Sequence, residues 1–275
     1  MMLSVPGAKI YHELRGSGPA LLLICGGVYD AAGYAPLAKA LSDRYTVITY
    51  DRRGNSRSPL DGPDAPQSLP VHADDAAAVL AALTDGPAHV FGNSSGGIIG
   101  LDLAARYPDR LRTLIVHEPP LFDLLPEHAM FRAMVDRVET AFATEGPQAA
   151  HAVLAAGLAM TADEDRSPGG GPTPATLDPD TAAMMSRLAK NATFFIGYEV
   201  PPFSRFVPDY AAVAAGPVRV VTAAGDASEG QPPNRAAHAL GARLGVPTVP
   251  VPGDHGGFGQ QAPAFAAAVD AILRG

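Results

Sequence analysis

The chain has 275 residues, 47% of them hydrophobic, enough to bury one large α/β core with or without an inserted subdomain. A net charge of −8, with 20 Lys and Arg against 28 Asp and Glu, argues against nucleic acid as a partner. With no charged-then-apolar leader at the N-terminus, no apolar run near the roughly 18 residues of a membrane span, and Cys25 as the single cysteine, the chain is expected to be soluble and cytoplasmic, without membrane contact or internal disulfide.

Residues 1–5 and 9–14 read as two short strands around a Pro6-Gly7 turn, and Gly16-Ser17-Gly18-Pro19 resets the chain before a buried apolar strand over 20–24. That strand ends in Cys25-Gly26-Gly27, where the glycines let backbone N–H groups approach a ligand. Cys25 itself reads as a small core residue. A helix over 36–43 and a strand over 45–50 lead into the polar turn Asp51-Arg52-Arg53-Gly54-Asn55-Ser56-Arg57-Ser58. Its arginines are expected to be solvated on a structural turn rather than to bind an anion. After a Pro-rich loop over 59–70 comes a helix over 71–85, and the succession of βα units implies parallel strands.

Ala88-His89-Val90-Phe91 is short and apolar, as a strand buried on both faces should be, while 98–106 carries apolar residues at helical spacing. Between them stands Gly92-Asn93-Ser94-Ser95-Gly96, a G-x-S-x-G turn from strand to helix. Such a turn holds its serine in a strained conformation that lifts the hydroxyl clear of the sheet, and makes Ser94 the candidate nucleophile. The N–H of Ser95, at the start of the following helix, is placed to stabilise an oxyanion.

A strand over 111–117 leads into Glu118-Pro119-Pro120, after which the alternation of strand and helix stops. Phe131, Val135, Val138 and Phe142 recur at helical spacing, so 124–144 is an amphipathic helix, with more helix at 147–160 and 178–190 and a connector over 167–174. Residues 121–204 thus read as a helical lid inserted between core segments 1–120 and 205–275. Met184, Met185, Phe194, Phe195 and Phe203 are candidates to line an apolar substrate pocket beneath it. The core resumes with a strand over 218–222, a helix over 235–244, a Pro-interrupted edge strand over 248–251, the loop Gly253-Asp254-His255, and a last helix over 263–273.

Four of these features together resemble the α/β-hydrolase fold: Cys25-Gly26-Gly27 where the family often has His-Gly, Asp51 to Ser58 as its D-x-R-G-x-G-x-S turn, Gly92 to Gly96 as the nucleophile elbow, and Gly253-Asp254-His255 as the catalytic-histidine loop. The resemblance implies a mostly parallel eight-stranded sheet, with His255 as base, Ser94 attacking a carbonyl, and Gly27 and Ser95 as oxyanion donors. It calls for no cofactor and no metal.

The triad acid stays open. The family commonly places it three residues beyond the glycine that ends the seventh strand, and Ser228 stands there. Glu118 at the end of strand six and Asp226 are equal candidates, with Glu229 behind them. The function this implies is hydrolysis of a small or medium apolar ester, lactone or thioester, a small-molecule substrate, through an acyl-enzyme on Ser94. The alternatives are a non-hydrolytic ligand-binding protein or lyase on the same fold, or a C–C bond hydrolase.

Overall fold

In the computed structural model, which describes residues 1–158 and 179–275, the strands are β1 (Met2–Val5), β2 (Ala8–Arg15), β3 (Ala20–Ile24), β4 (Thr46–Tyr50), β5 (Ala88–Asn93), β6 (Leu111–His117), β7 (Arg219–Gly225) and β8 (Thr248–Val251). They form one eight-stranded sheet in the order β1-β2-β4-β3-β5-β6-β7-β8. β1 and β2 pair antiparallel, as do β2 and β4, and every other pairing is parallel. The outer strand β2 alternates between buried and more exposed positions and β1 has no fully buried position, whereas β3 and β4 are buried almost throughout. That is the pattern of a sheet covered on both faces at its centre. Pro250 lies in β8, at the sheet edge, where a missing N–H costs no ladder bond.

Alternation along the central strands splits the core in two. Leu21 and Leu23 pack with α1 (Ala35–Leu41), α10 (Gly257–Gln260) and α11 (Ala262–Arg274) on one face. Leu22 and Ile24 pack with α2 (Leu69–Leu83), α3 (Ser95–Arg106), α8 (Tyr210–Ala215) and α9 (Pro232–Leu244) on the other.

Between β6 and β7 the described residues include the helices α4 (His128–Glu145), α5 (Pro147–Leu158) and α6 (Pro179–Phe194), a π-helical turn over Phe195–Glu199, and α7 (Val200–Ser204). α4 buries Phe131, Val135 and Val138, as its spacing predicts. The connector expected at 167–174 lies outside the described residues. No helix among the described residues is long and apolar enough to cross a membrane.

The arginines after β4 differ from expectation. Arg52 has no exposed surface and pairs with Glu199 at 2.7 Å; Arg53, 7% exposed, makes a two-pronged contact with Asp75 at 2.6 Å. Arg57 grips Asp51 at 2.7 and 2.9 Å. Each guanidinium is held by a carboxylate, with Arg52 and Arg53 buried and Arg57 partly exposed, so the turn is an ion-paired anchor within the fold rather than a free anion site.

Candidate active site

Ser94 stands between β5 and α3 with φ 54° and ψ −127°, one of three non-glycine residues at positive φ among the described residues. The turn can be this tight because Gly96 packs directly against the carbonyls of Ile24 and Cys25, where a Cβ would collide. The Ser94 N–H donates to the His117 carbonyl at 2.9 Å, which ties the elbow to the end of β6. Ser95 opens α3, and the Gly27 N–H donates to its Oγ at 3.1 Å. Gly27 is at φ 52°, the left-handed region that glycine enters without strain.

Glu118 follows β6, also at positive φ, 44°. This backbone turns its side chain into the core, where it is wholly buried and saturated with donors. Oε2 meets His255 Nδ1 at 2.8 Å. Oε1 accepts the Gly225 N–H at 2.9 Å, the Ser228 hydroxyl, and Asn234 Nδ2 at 3.4 Å. Burial alone would raise the carboxyl, but the His255 hydrogen bond, the neighbouring histidine charges and the Ser228 hydroxyl outweigh it and pull its pKa down to about 2. Glu118 is therefore ionised at neutral pH and can only accept. It follows that His255 carries its proton on Nδ1 and leaves Nε2 free.

Asp226, the equal candidate from sequence, is exposed and accepts the Gly253 N–H at 2.8 Å. It braces the loop that carries His255 and does not touch the imidazole. Glu229 is exposed as well. Sequence reasoning missed Ser228 and Asn234 as supports of the carboxylate. The available signal was the serine standing where the family commonly has its acid. Also missed was His117, fully buried, stacked beside His255 with ring centroids 6.2 Å apart, and accepting from Asn93 Nδ2 at 2.9 Å. Burial lowers its pKa to about 4, so it is neutral at neutral pH. Burial likewise pushes the Cys25 thiol well up, which leaves it a protonated core residue.

Ser94, Ser95, Gly27 and His255 share one cavity of about 250 Å³, walled by Phe122, Leu154, Leu158, Phe195, Val200 and Phe203. No carboxylate, lysine or arginine among the described residues lines it. Of the expected pocket residues, Phe195 and Phe203 are there. Met184 is half-buried away from it, Met185 is 53% exposed, and the Phe194 ring packs against Gly54 and Tyr198. The correction is one of helix phase: α6 turns its phenylalanine end onto the turn after β4, and the π-helical turn that follows re-aims Phe195 into the cavity. Among the described residues no three His, Cys, Asp or Glu side chains are grouped to hold a metal ion.

A family model described as the alpha/beta hydrolase fold matches residues 19–183. The chain belongs to the α/β-hydrolase family. The uncharacterized hydrolase YraK of Bacillus subtilis strain 168 is 35% identical over 262 residues, 93% of this chain and 89% of that protein. Among solved structures, an alpha/beta hydrolase from Sphaerobacter thermophilus DSM 20745 superposes with a TM-score of 0.69 at 25% identity, covering 99% of this chain and 98% of that one. The enol-lactonase of Burkholderia xenovorans LB400 reaches 0.73 at 20% identity over the whole of both chains, a likeness of fold. This α/β-hydrolase is thus a hydrolytic enzyme by family.

Proposed function

We propose that the protein is a serine hydrolase of small, uncharged apolar carboxylic esters or lactones, acting through an acyl-enzyme on Ser94. The observation that carries this reading is the hydrogen bond from His255 Nδ1 to a buried, ionised Glu118, on the same cavity as a strained-turn serine. Glu118 fixes the imidazole tautomer and stabilises the cation that forms when Nε2 takes the Ser94 proton. Ser94 Oγ then bonds to the carbonyl carbon, and the oxyanion is met by the N–H groups of Ser95 and Gly27, the latter exchanging its Ser95 Oγ partner for the oxyanion. Collapse expels the alkoxide, which receives the proton from His255. A water, deprotonated by the same Nε2, releases the acid and restores Ser94.

The cavity sets the substrate class. At about 250 Å³ it lies at or below the low end of ligand pockets, which favours a short acyl group. Among the described residues its lining offers no lysine or arginine to a carboxylate-bearing acyl chain and no carboxylate to an ammonium, and burying an unpaired charge there would be costly. The acidic charge balance supports a free small molecule rather than nucleic acid as the partner.

The test is a panel of p-nitrophenyl esters. Butyrate should be turned over at least tenfold better, in kcat/KM, than both laurate and the anionic hemisuccinate, an advantage of about 1.4 kcal/mol. Equal or better turnover of the hemisuccinate would remove the uncharged-substrate reading. Absence of turnover on every ester and lactone tried would favour the non-hydrolytic alternative.

A further inference from the structure

The loop that carries Gly27 is held by side chains that trace to the helical insert. Arg52 donates Nη2 to the Gly27 carbonyl at 2.6 Å and Nη1 to Glu199 at 2.7 Å, and neither charged side chain has any exposed surface. Asn55 Nδ2 donates to the same Glu199 oxygen at 2.9 Å. One residue further along the loop, the Val28 carbonyl accepts from Asn191 Nδ2 at 2.9 Å, while Asn191 Oδ1 takes the Ser56 N–H at 2.8 Å. Asn191 belongs to α6 and Glu199 closes the π-helical turn, so two successive carbonyls of the loop are fixed from the insert, one directly and one through Arg52.

The same stretch of insert faces the substrate space. Phe195 and Val200 line the cavity, and Glu199 lies between them in sequence, pointed instead at Arg52. Gly27 has no Cβ and no side-chain packing to define its peptide orientation, so its backbone is set by what its two polar groups bond to. The N–H goes to Ser95 Oγ and the carbonyl to Arg52. Charge-assisted bonds in a buried site are the strong and directional kind. An oxyanion donor must sit within roughly 0.5 Å of its productive place, and a misplacement of about 1 Å costs about 100-fold in rate.

We infer that the helical insert sets the oxyanion loop, with Asn191, Glu199 and Arg52 as positioning residues that hold Gly27 where its N–H meets the developing charge. This rests on the proposed roles of Ser94 and Gly27. A purely architectural tether would also use buried polar contacts, but it would have no reason to converge on the carbonyls of residues 27 and 28.

Two variants test it, Asn191→Ala and the paired Arg52→Met with Glu199→Gln, which removes both charges together because a single loss would strand the other in the core. Both are compared with Lys190→Ala, an exposed neighbour on α6 expected to behave as wild type. The measurements are kcat and KM for p-nitrophenyl butyrate and the inhibition constant of n-butylboronic acid, which forms a tetrahedral adduct with an active-site serine. Variants folded at the assay temperature are expected to lose about 100-fold in kcat with KM changed less than about threefold, and to lose boronate affinity in parallel. Folded variants whose kcat and boronate affinity stay within threefold of wild type would overturn the inference. If the paired variant does not fold, Asn191→Ala decides alone, since it removes only neutral hydrogen bonds. A wild-type enzyme that neither hydrolyses the ester nor binds the boronate would instead overturn the serine mechanism, and this inference with it.

Discussion

Of the two carboxylates proposed as the triad acid, a single backbone conformation brings Glu118 to His255. Glu118 sits at φ 44° and is thereby turned beneath His255, whereas Asp226, at the end of the neighbouring strand, faces solvent. Glu118→Gln keeps the volume but offers an amide that no longer compels the Nδ1 proton, and should lower kcat by roughly 10³- to 10⁴-fold. Asp226→Asn should stay within about threefold of wild type, as a change at an exposed support for one backbone N–H. Measuring both on p-nitrophenyl butyrate checks this, and the reverse ranking would move the acid to Asp226. The sequence left the two level because positive φ at a glutamate is not encoded in residue type. It comes from the junction of β6 with Pro119, Pro120 and the Ala223 carbonyl, to which the Glu118 N–H donates at 3.1 Å. The turn at Ser94 and the loop of His255 were legible because the glycines there are steric requirements written in the sequence itself.

At the level of elements, all eight strands were readable from short apolar runs between turn residues, and the edge position of β8 from its proline. β7 runs on to Gly225 where the sequence suggested an end at 222, because Ala223, Ala224 and Gly225 have little strand preference of their own and are held by pairing with β6 and β8. The insert was readable as helical, but not in its phase. Met184 and Met185 have the composition of a pocket wall, yet α6 gives the cavity neither, since its rotation is set by the Phe194 ring against Gly54 and by Asn191 beneath the loop after β3. The buried arginines were unreadable for a related reason. The partner of Arg52 lies 147 residues away in the insert, so nothing local marks the turn as anything but solvated.

For the molecule as a whole, burial of titratable groups makes stability fall with acid in two overlapping stages. His117 is held neutral with a folded pKa of about 4 against an ordinary 6.5, so its stabilising contribution is full above pH 6.5 and is lost as pH falls toward 4. His72, fully buried, is shifted in the same direction by burial and by Arg52 and Arg53. Glu118 is depressed to about 2 from 4.5, so its contribution is full above pH 4.5 and lost as pH falls toward 2. The melting temperature should therefore begin to fall below about pH 6.5, ahead of the protonation of Glu118. His117→Gln should reduce the slope of the curve between pH 6.5 and 4, with His72 supplying the remainder. A melting profile level from pH 7 to 4.5 would contradict this. The central claim is that fold, strained turn and ionised carboxylate together make Ser94 an activated nucleophile. It is tested most directly by intact mass after treatment with a fluorophosphonate, on wild type and Ser94→Ala in parallel. One adduct on the wild type and none on the variant is the expected result. No adduct on either folded protein, or the same adduct on both, would contradict it.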